Sequence, residues 1–180
     1  MFTERHHGWL MAFRRNLFGY ACALSDDTAS AEDLYQETLL RGMSARDCPH
    51  ERAPFRAWMF RIQRNLWVDR LRAQKRLNEL MVEGIATDAH VGDLGPDEDM
   101  VINRMDVRQA FSRLQKAQRD VLALVDIGGF SYEETAELLD VPKGTVMSRI
   151  SRARAALRRE LLGQADSGAQ VVALPRRRRP

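Results

Sequence analysis

The sequence contains only two cysteines in 180 residues, Cys22 and Cys48. This number and spacing match neither a zinc-binding cluster nor the disulfide framework of a small secreted domain, so we interpret both as ordinary thiols. A redox-sensing role for Cys48 stays open, because it falls in a predicted loop. No apolar run approaches the roughly 20 residues that cross a bilayer, and the first residues lack the apolar centre of a signal peptide. We therefore predict a cytoplasmic protein with no membrane-inserted segment.

Catalytic motifs are missing as well. The sequence has no glycine-rich phosphate loop, no nucleophile elbow and no spaced pair of catalytic acids, and its four histidines are too scattered to suggest metal ligands. We predict no enzymatic activity, no metal and no cofactor. The formal net charge of +3 hints only weakly at an anionic partner, since the placement of charges says more than their balance.

Apolar residues recur with helical spacing along most of the chain, and no segment alternates as a strand would, which predicts an all-α fold. The N-terminal half is predicted to contain helices at 8–24, 30–45 and 54–75, with a loop at 46–53. Ser30 and Asp33 resemble a capping box that starts the second helix. These helices can bury one another as one small domain, 8–76. The apolar stripes of the first and third helices are Leu10, Phe13, Leu17, Ala21 and Leu24, and Phe55, Met59, Ile62, Leu66 and Ala73.

Helical periodicity fades at 77–104, where glycine, proline and acidic residues accumulate, which predicts a flexible acidic linker between two domains. The second domain, 105–162, has the pattern of a helix-turn-helix fold. Its predicted parts are helices at 105–114 and 117–126, a Gly128-Gly129 turn, a helix at 131–139 capped by Ser131 and Glu134, and a final helix at 145–162. The remaining residues, 163–180, end in four consecutive arginines and predict a disordered basic tail.

The final helix is predicted to have two different faces. Val146, Ile150, Ala153 and Leu157 point inward, while small, polar and basic side chains occupy the other side. Such a helix fits the major groove of DNA, where short polar side chains reach base edges and guanidiniums hold phosphates. A solvated basic face is the alternative, and the preceding capped helix and Pro-Lys-Gly turn favour DNA. The predicted duplex-binding residues are Lys143, Thr145, Met147, Ser148, Arg149, Ser151, Arg152 and Arg154.

The third helix predicts a second basic surface. Guanidiniums mixed with an amide and an indole suit unpaired bases better than a closed duplex. The residues of this surface are Arg56, Arg61, Arg64, Asn65, Trp67 and Arg72. The alternative, that Trp58 and Trp67 are core aromatics, stays open. Asp69 falls on the inward face of the helix, where an unpaired carboxylate is costly, so we expect an internal arginine partner.

The second helix carries an acidic and polar face around an apolar residue that the core does not need. Its residues are Asp33, Gln36, Glu37, Leu40 and Ser44. Such a face is either plain solvent surface or a docking surface for a basic protein partner.

Three segments, taken in order, resemble the extracytoplasmic function (ECF) sigma factors, group IV of the sigma-70 family. The likeness spans 10–162, interrupted by the linker. The matching segments are Ala31-Glu32-Asp33-Leu34-Tyr35-Gln36-Glu37-Thr38, then Phe55-Arg56-Ala57-Trp58-Met59-Phe60-Arg61-Ile62 with Arg64-Asn65-Leu66, and finally Ser131-Tyr132-Glu133-Glu134 with Gly144-Thr145-Val146 and Ser148-Arg149.

The resemblance implies a sigma2 domain, a sigma4 domain and a promoter-specificity role in transcription initiation. It implies that core RNA polymerase is bound through its beta-prime clamp and its beta flap, and that an anti-sigma factor holds the protein inactive until a stress signal. The clamp would be met by Asp33, Gln36, Glu37, Leu40 and Arg41. The third helix, with the loop at 46–53, would bind the minus-10 element and capture a flipped base, and the final helix would read the minus-35 element as duplex.

Some positions depart from the family pattern. Gln115 replaces the usual proline, which should alter a turn more than a function, and Met147 and Ser151 stand where larger side chains are common. The resemblance therefore does not predict which promoter sequence this chain recognises. Two alternative functions explain less of the sequence. An independent helix-turn-helix regulator would leave the acidic face unexplained, and a sigma mimic that sequesters an anti-sigma factor would not need the DNA-facing arginines.

Overall fold

A computed structural model of the chain describes residues 2–80 and 107–168, and every regular element within these ranges is helical, which confirms the all-α prediction. The N-terminal group contains three helices: α1 (Glu4–Leu24), α2 (Thr28–Ser44) and α3 (Arg52–Leu80). The C-terminal group contains α4 (107–112), α5 (Lys116–Leu122), α6 (Tyr132–Leu139) and α7 (Lys143–Gly168), and α5 continues as a π-helical segment, Ala123–Ile127.

The first two helices begin earlier than predicted because other residues cap them. Thr3 precedes α1, and its backbone N–H donates to Nδ1 of His6 at 3.1 Å. Asp27 caps α2 by accepting from the backbone N–H of Ser30 at 2.7 Å and from the Ser30 hydroxyl at 2.6 Å. The predicted capping box of Ser30 and Asp33 is therefore wrong, because the aspartate that precedes the helix already satisfies its free N–H.

Helix α3 is longer than predicted and buries a wider face, which includes Phe55, Met59 and Leu66 of the predicted stripe. It extends to Leu80, so residues 77–80, predicted as linker, are helical. Ala73, assigned to the inward stripe, is exposed, whereas Phe60, Gln63 and Trp67 are buried. Residues 163–168, predicted as disordered tail, are helical too, at the end of α7. The rest of the predicted linker, 81–104, and the end of the predicted tail, 169–180, lie outside the described residues.

The buried residues of the two helical groups form one continuous apolar cluster. The predicted stripe of α1 is buried throughout, as are Val146, Ile150 and Ala153 of α7, which confirms those two inward faces. Phe60 of α3 joins the groups, because its ring meets that of Phe130 edge-on at 4.8 Å between centroids. Apolar burial of this kind is the main stabilising term in a small helical protein.

The helix-turn-helix prediction is confirmed. The backbone N–H of Glu134 donates to the Ser131 hydroxyl at 3.2 Å, and that of Ser131 donates to the Glu134 carboxylate at 2.7 Å, which completes the predicted capping box of α6. In the turn before α6, Gly129 has a φ of +72°, a backbone conformation that favours glycine. Asp140 ends α6 in the left-handed region, and α7 begins three residues later, at Lys143.

Candidate nucleic-acid interface

The outer face of α7 is open to solvent. Val146, Ile150 and Ala153 fix its orientation by packing into the core. The predicted duplex-binding residues Lys143, Met147, Ser148, Ser151, Arg152 and Arg154 are exposed, and Thr145 and Arg149 are partly exposed. This row of small side chains flanked by guanidiniums has the shape and charge that a major groove requires.

Two cations of this face have carboxylate partners. Lys143 donates to Glu133 of α6, and this hydrogen bond holds the pKa of the Glu133 carboxyl below its usual value. Arg154 donates to Asp126 at 2.6 Å. Exposed ion pairs of this type contribute about 1 kcal/mol or less, so a phosphate group can displace the carboxylate.

The arginines of α3 face the C-terminal helical group. The guanidinium of Arg56 lies 4.1 Å from the centroid of the Phe130 ring and donates to the Gly128 carbonyl. Arg64 donates to Oδ2 of Asp120 at 2.9 Å, and Arg61 donates to the Glu137 carbonyl at 3.3 Å. Burial lowers the pKa of Arg56 from its usual value. Three predicted nucleic-acid contacts are thus engaged within the chain itself.

The other predicted residues of α3 lie on different sides of the helix. Asn65 and Arg72 are exposed, and Arg72 pairs with Asp69 at 3.4 Å. Trp67 is only 7% exposed and packs in the core, which favours the alternative that it is a core aromatic. The inward placement of Asp69 is also wrong, because its carboxylate lies at the surface. Its expected arginine partner is present, but at the surface and three residues along the same helix.

A buried polar cluster between the two helical groups was missed from the sequence. The hydroxyl of Tyr20, on α1, donates to Oδ1 of Asp120 at 2.6 Å, so both oxygens of this carboxylate are bonded. Tyr20 is fully buried and reads in the sequence as one more apolar residue of the α1 stripe. Its partner is 100 positions away, beyond any local pattern. Arg119, beside Asp120, is also buried and donates to Asp26 at 2.9 Å.

Tyr20 makes the contact between the groups pH-dependent. Burial, and then the charge of Asp120, raise the pKa of Tyr20 well above its usual value of 10.0. The unfolded chain loses this proton near pH 10 while the packed tyrosine keeps it, so the stabilisation is complete below pH 10 and is lost as the pH rises further. We expect Tyr20→Phe to cost about 1–3 kcal/mol at neutral pH, by leaving Oδ1 of Asp120 without its donor, and to weaken the alkaline loss. Urea unfolding between about pH 8 and pH 11 measures both effects.

Tyr132→Phe provides the matched control for Tyr20→Phe, because Tyr132 lies partly exposed at the start of α6. Identical alkaline profiles for the two variants would contradict the role given to the Tyr20 hydroxyl.

The acidic face of α2 is exposed around an apolar residue. Asp33, Gln36 and Arg41 are exposed, and Leu40 is 66% exposed. Glu37 accepts from Arg41 at 3.2 Å and from Arg70 of α3 at 2.9 Å, which fixes its carboxylate at the surface. Exposed Met43 was not part of the prediction. Because it lies three residues after Leu40, it extends the same helix face with a second apolar side chain.

The part of the chain that the structure describes contains no cluster of three or more metal-ligating side chains. Both cysteines lie in it as free thiols, and Cys48 is buried with its Sγ 3.5 Å from Nε2 of His6. None of the helices in residues 2–80 and 107–168 is long and apolar enough to cross a membrane.

Comparison with known proteins agrees with this arrangement. The sequence profile of sigma-70 region 2 matches residues 9–77, and that of sigma-70 region 4 matches residues 104–157. The ECF RNA polymerase sigma factor EcfG of Rhodopseudomonas palustris is 33% identical over 148 residues, covering 82% of this chain and 80% of EcfG. The ECF RNA polymerase sigma factor SigL of Mycobacterium tuberculosis is 34% identical over 145 residues, covering 79% of this chain and 80% of SigL.

A solved structure is similar over most of the chain. It is that of the sigma factor RpoE from Bartonella quintana, in complex with the anti-sigma factor NepR, with a TM-score of 0.66 and 28% identity over 89% of this chain and 98% of RpoE. The N-terminal three-helix group matches region 2, and the C-terminal helix-turn-helix group matches region 4. These two modules together define a sigma factor of the sigma-70 type. The chain belongs to the ECF sigma factors, as the resemblance predicted.

Proposed function

We propose that three surfaces of this ECF sigma factor divide the work of promoter recognition among them. The chain would supply binding energy that holds RNA polymerase at a start site, without a chemical step of its own. The observation that carries this proposal is the separation of an acidic docking face on α2 from basic faces on α3 and α7.

The minus-35 element is assigned to α7. The side chains that would contact base edges are short or flexible: Thr145, Met147, Ser148 and Ser151. Arg149 and Arg152 lie beside them and would bind phosphates. The core contacts of Val146 and Ile150 hold this face outward.

The minus-10 element is assigned to the surface of α3, with the loop between α2 and α3. Arg61, Asn65 and Arg72 are exposed there, and the guanidiniums of Arg56 and Arg64 border the same surface. Arginine side chains can hold a strand backbone while an amide pairs with an exposed base edge. The loop, residues 46–51, would help to capture a flipped base.

The polymerase clamp is assigned to the α2 face of Asp33, Gln36, Glu37, Leu40 and Arg41, and we add Met43. The beta flap of the polymerase would meet the C-terminal group. An anti-sigma factor is a further proposed partner, because the similar RpoE was solved in complex with the anti-sigma factor NepR.

Runoff transcription with purified core polymerase on genomic promoters tests this function directly. We expect transcripts that begin at a defined set of sites. Failure to direct transcription from any genomic DNA would contradict the proposal.

Glu37→Lys tests the assignment of the clamp surface. The change puts a cation where a basic partner should dock and removes the acceptor of Arg70, so we expect affinity for core polymerase to fall about 100-fold. Fluorescence titration of core polymerase with the labelled chain measures this affinity.

Glu79→Lys provides a control outside both proposed polymerase surfaces, since this exposed glutamate at the end of α3 also pairs with a cation, Lys75. If Glu37→Lys and Glu79→Lys bind core polymerase alike, the clamp does not meet α2 at Glu37.

A further inference from the structure

His6 joins the start of α1 to the loop between α2 and α3. Its Nε2 lies 3.0 Å from the Pro49 carbonyl oxygen and 3.5 Å from Sγ of Cys48. The side chain is only 2% exposed, although it belongs to the first turn of its helix. The profile of sigma-70 region 2 begins at residue 9, so His6 precedes the part of the chain that the profile covers. The three surfaces of the proposed function leave this contact unused.

The hydrogen bonds of the His6 ring fix which of its nitrogens donates. The backbone N–H of Thr3 can only donate, and it bonds Nδ1 at 3.1 Å, with the Thr3 hydroxyl 2.7 Å from the same atom. Nδ1 therefore accepts, and the Nε2–H donates to the Pro49 carbonyl. Because proline has no backbone N–H, this carbonyl is the one backbone group of Pro49 that can form a hydrogen bond.

Aromatic rings hold the His6 ring in one orientation. The centroids of the Phe55, Trp9 and Phe2 rings lie 5.0, 5.3 and 5.6 Å from that of His6. Phe55 is fully buried near the start of α3, so it sets the His6 ring against the helix that follows the loop. A polar group whose side chain is locked by packing donates in a fixed direction.

The loop presents polar side chains to solvent on both sides of its buried residue. Cys48 is 5% exposed and lies beside His6, while Asp47 and His50 are exposed. The His50 ring centroid lies 6.2 Å from that of His6. A carboxylate accepts hydrogen bonds from the amino groups of bases, and an imidazole ring can stack on an unpaired base. Such groups discriminate between bases only when their backbone is held, since a displacement of about 1 Å loses the contact.

We propose that His6 is the positioning residue of the base-capture loop, residues 46–51: its hydrogen bond to the Pro49 carbonyl sets the backbone from which Asp47 and His50 meet a flipped base. This inference rests on the proposed function, which assigns the loop to the minus-10 element. His6 itself is buried and does not touch DNA. It determines how strongly one base of the minus-10 element is preferred over the other three.

Two substitutions at His6 separate its hydrogen bond from the packing of its ring. His6→Phe keeps a ring among the aromatic side chains and removes the donor. His6→Gln removes the ring and keeps a donor, because the amide nitrogen of glutamine is as many bonds from Cβ as Nε2 of histidine is. If His6 only stabilises the fold, the effects follow the loss of stability in urea unfolding. If it positions the loop, they follow the loss of the donor.

His7→Phe and Thr3→Ala are the matched controls. His7 is the next residue of α1, and its side chain is exposed. Thr3→Ala removes the hydroxyl on the Nδ1 side of the ring and leaves the backbone N–H that makes Nδ1 an acceptor. Neither change removes the donor to Pro49, so both chains should behave like the wild type.

Alkylation of Cys48 by iodoacetamide measures the anchoring of the loop in the free chain. Cys48 is buried under the loop, so its alkylation rate reports how often the loop opens. Peptide mass mapping separates this rate from that of Cys22, which lies on α1 and serves as the internal reference. We expect His6→Phe to raise the Cys48 rate about 10-fold relative to Cys22, as for the loss of one hydrogen bond, and His6→Gln to leave it unchanged.

Transcription by the holoenzyme measures base preference. On a promoter identified by runoff transcription, each position of the minus-10 element is changed to every other base, and the transcription rates for the best and worst base are compared. We expect His6→Phe to lower this ratio about 10-fold at one position and to leave the other positions and the minus-35 element unchanged. His6→Gln, His7→Phe and Thr3→Ala should match the wild type.

Three outcomes would overturn the proposal. Unchanged alkylation of Cys48 in His6→Phe would refute the anchor. An equal loss of transcription from every promoter variant, or equal effects of His6→Phe and His6→Gln, would leave His6 with a stabilising role alone. Failure of the proposed function is distinct from all three, because it shows in the wild-type chain as an absence of runoff transcripts before any substitution is made.

Discussion

Reversing the charges of Arg149 and Arg152 together should strongly weaken the binding of promoter duplex by α7. Both side chains reach solvent on the outer face of the helix, beside Ser148 and Ser151. Each lost arginine contact removes about 1–3 kcal/mol, so Arg149→Glu with Arg152→Glu should weaken binding about 1000-fold. The salt dependence should also change, because each phosphate contact contributes about 0.9 to the slope of log K against log salt. Holoenzyme binding to promoter duplex across a salt series measures both.

A chain with Arg5→Glu and Arg15→Glu carries the same change of net charge on exposed positions of α1. If its affinity for promoter duplex falls as far as that of the α7 variant, the effect belongs to net charge, and α7 does not read the duplex.

The parts of the fold that the sequence predicts well are those with local causes. The stripe of α1 follows from side chains three and four positions apart, and the start of α6 follows from Ser131 and Glu134, which bond each other across one turn. The outward face of α7 is of the same kind, since Val146 and Ile150 settle it within one helix. Because these interactions join residues only a few positions apart, the sequence pattern predicts the helix faces and caps that they produce.

The errors on α3 have a different cause. This helix packs against the bundle through Met59 and Leu66 and against the C-terminal group through Phe60, so it buries a wider face than a single stripe would cover. A prediction that allows one inward stripe places Asp69 inside, which is wrong, and leaves open whether Trp67 belongs to the core, where the structure buries it. The second packing partner comes from far along the chain and leaves no periodic signal in α3.

Separation along the sequence also explains why only part of the candidate site could be predicted. The sequence shows which side chains suit DNA, but it does not show that Arg56 and Arg64 have partners at Gly128 and Asp120. Tyr20 and Asp120 carry no motif, and each looks ordinary in its own helix. Pairs this far apart in the sequence can be identified only in the structure, where the two helical groups lie together.

Phe60→Ala should be the most damaging single core substitution we consider, because Phe60 is where the two groups meet. Its ring is fully buried, lies 5.3 Å from the Tyr20 ring and 6.3 Å from the Phe13 ring, and contacts Phe130 from the other group. Truncating a buried phenylalanine costs about 3–5 kcal/mol, a large share of the stability of a chain this size. Urea unfolding followed by circular dichroism measures the loss, and a loss below about 1 kcal/mol would contradict this placement.

Phe130→Ala shows how much of that loss belongs to the contact between the groups. The two rings meet edge-on, so the double variant should reveal a coupling energy of about 0.5–1.5 kcal/mol. Phe18→Ala is a suitable control, because the Phe18 ring contacts Tyr35 within the N-terminal bundle. Its effect should add to that of Phe130→Ala without coupling. Coupling confined to Phe60 and Phe130 would mean that the contact between the two helical groups itself contributes to folding stability.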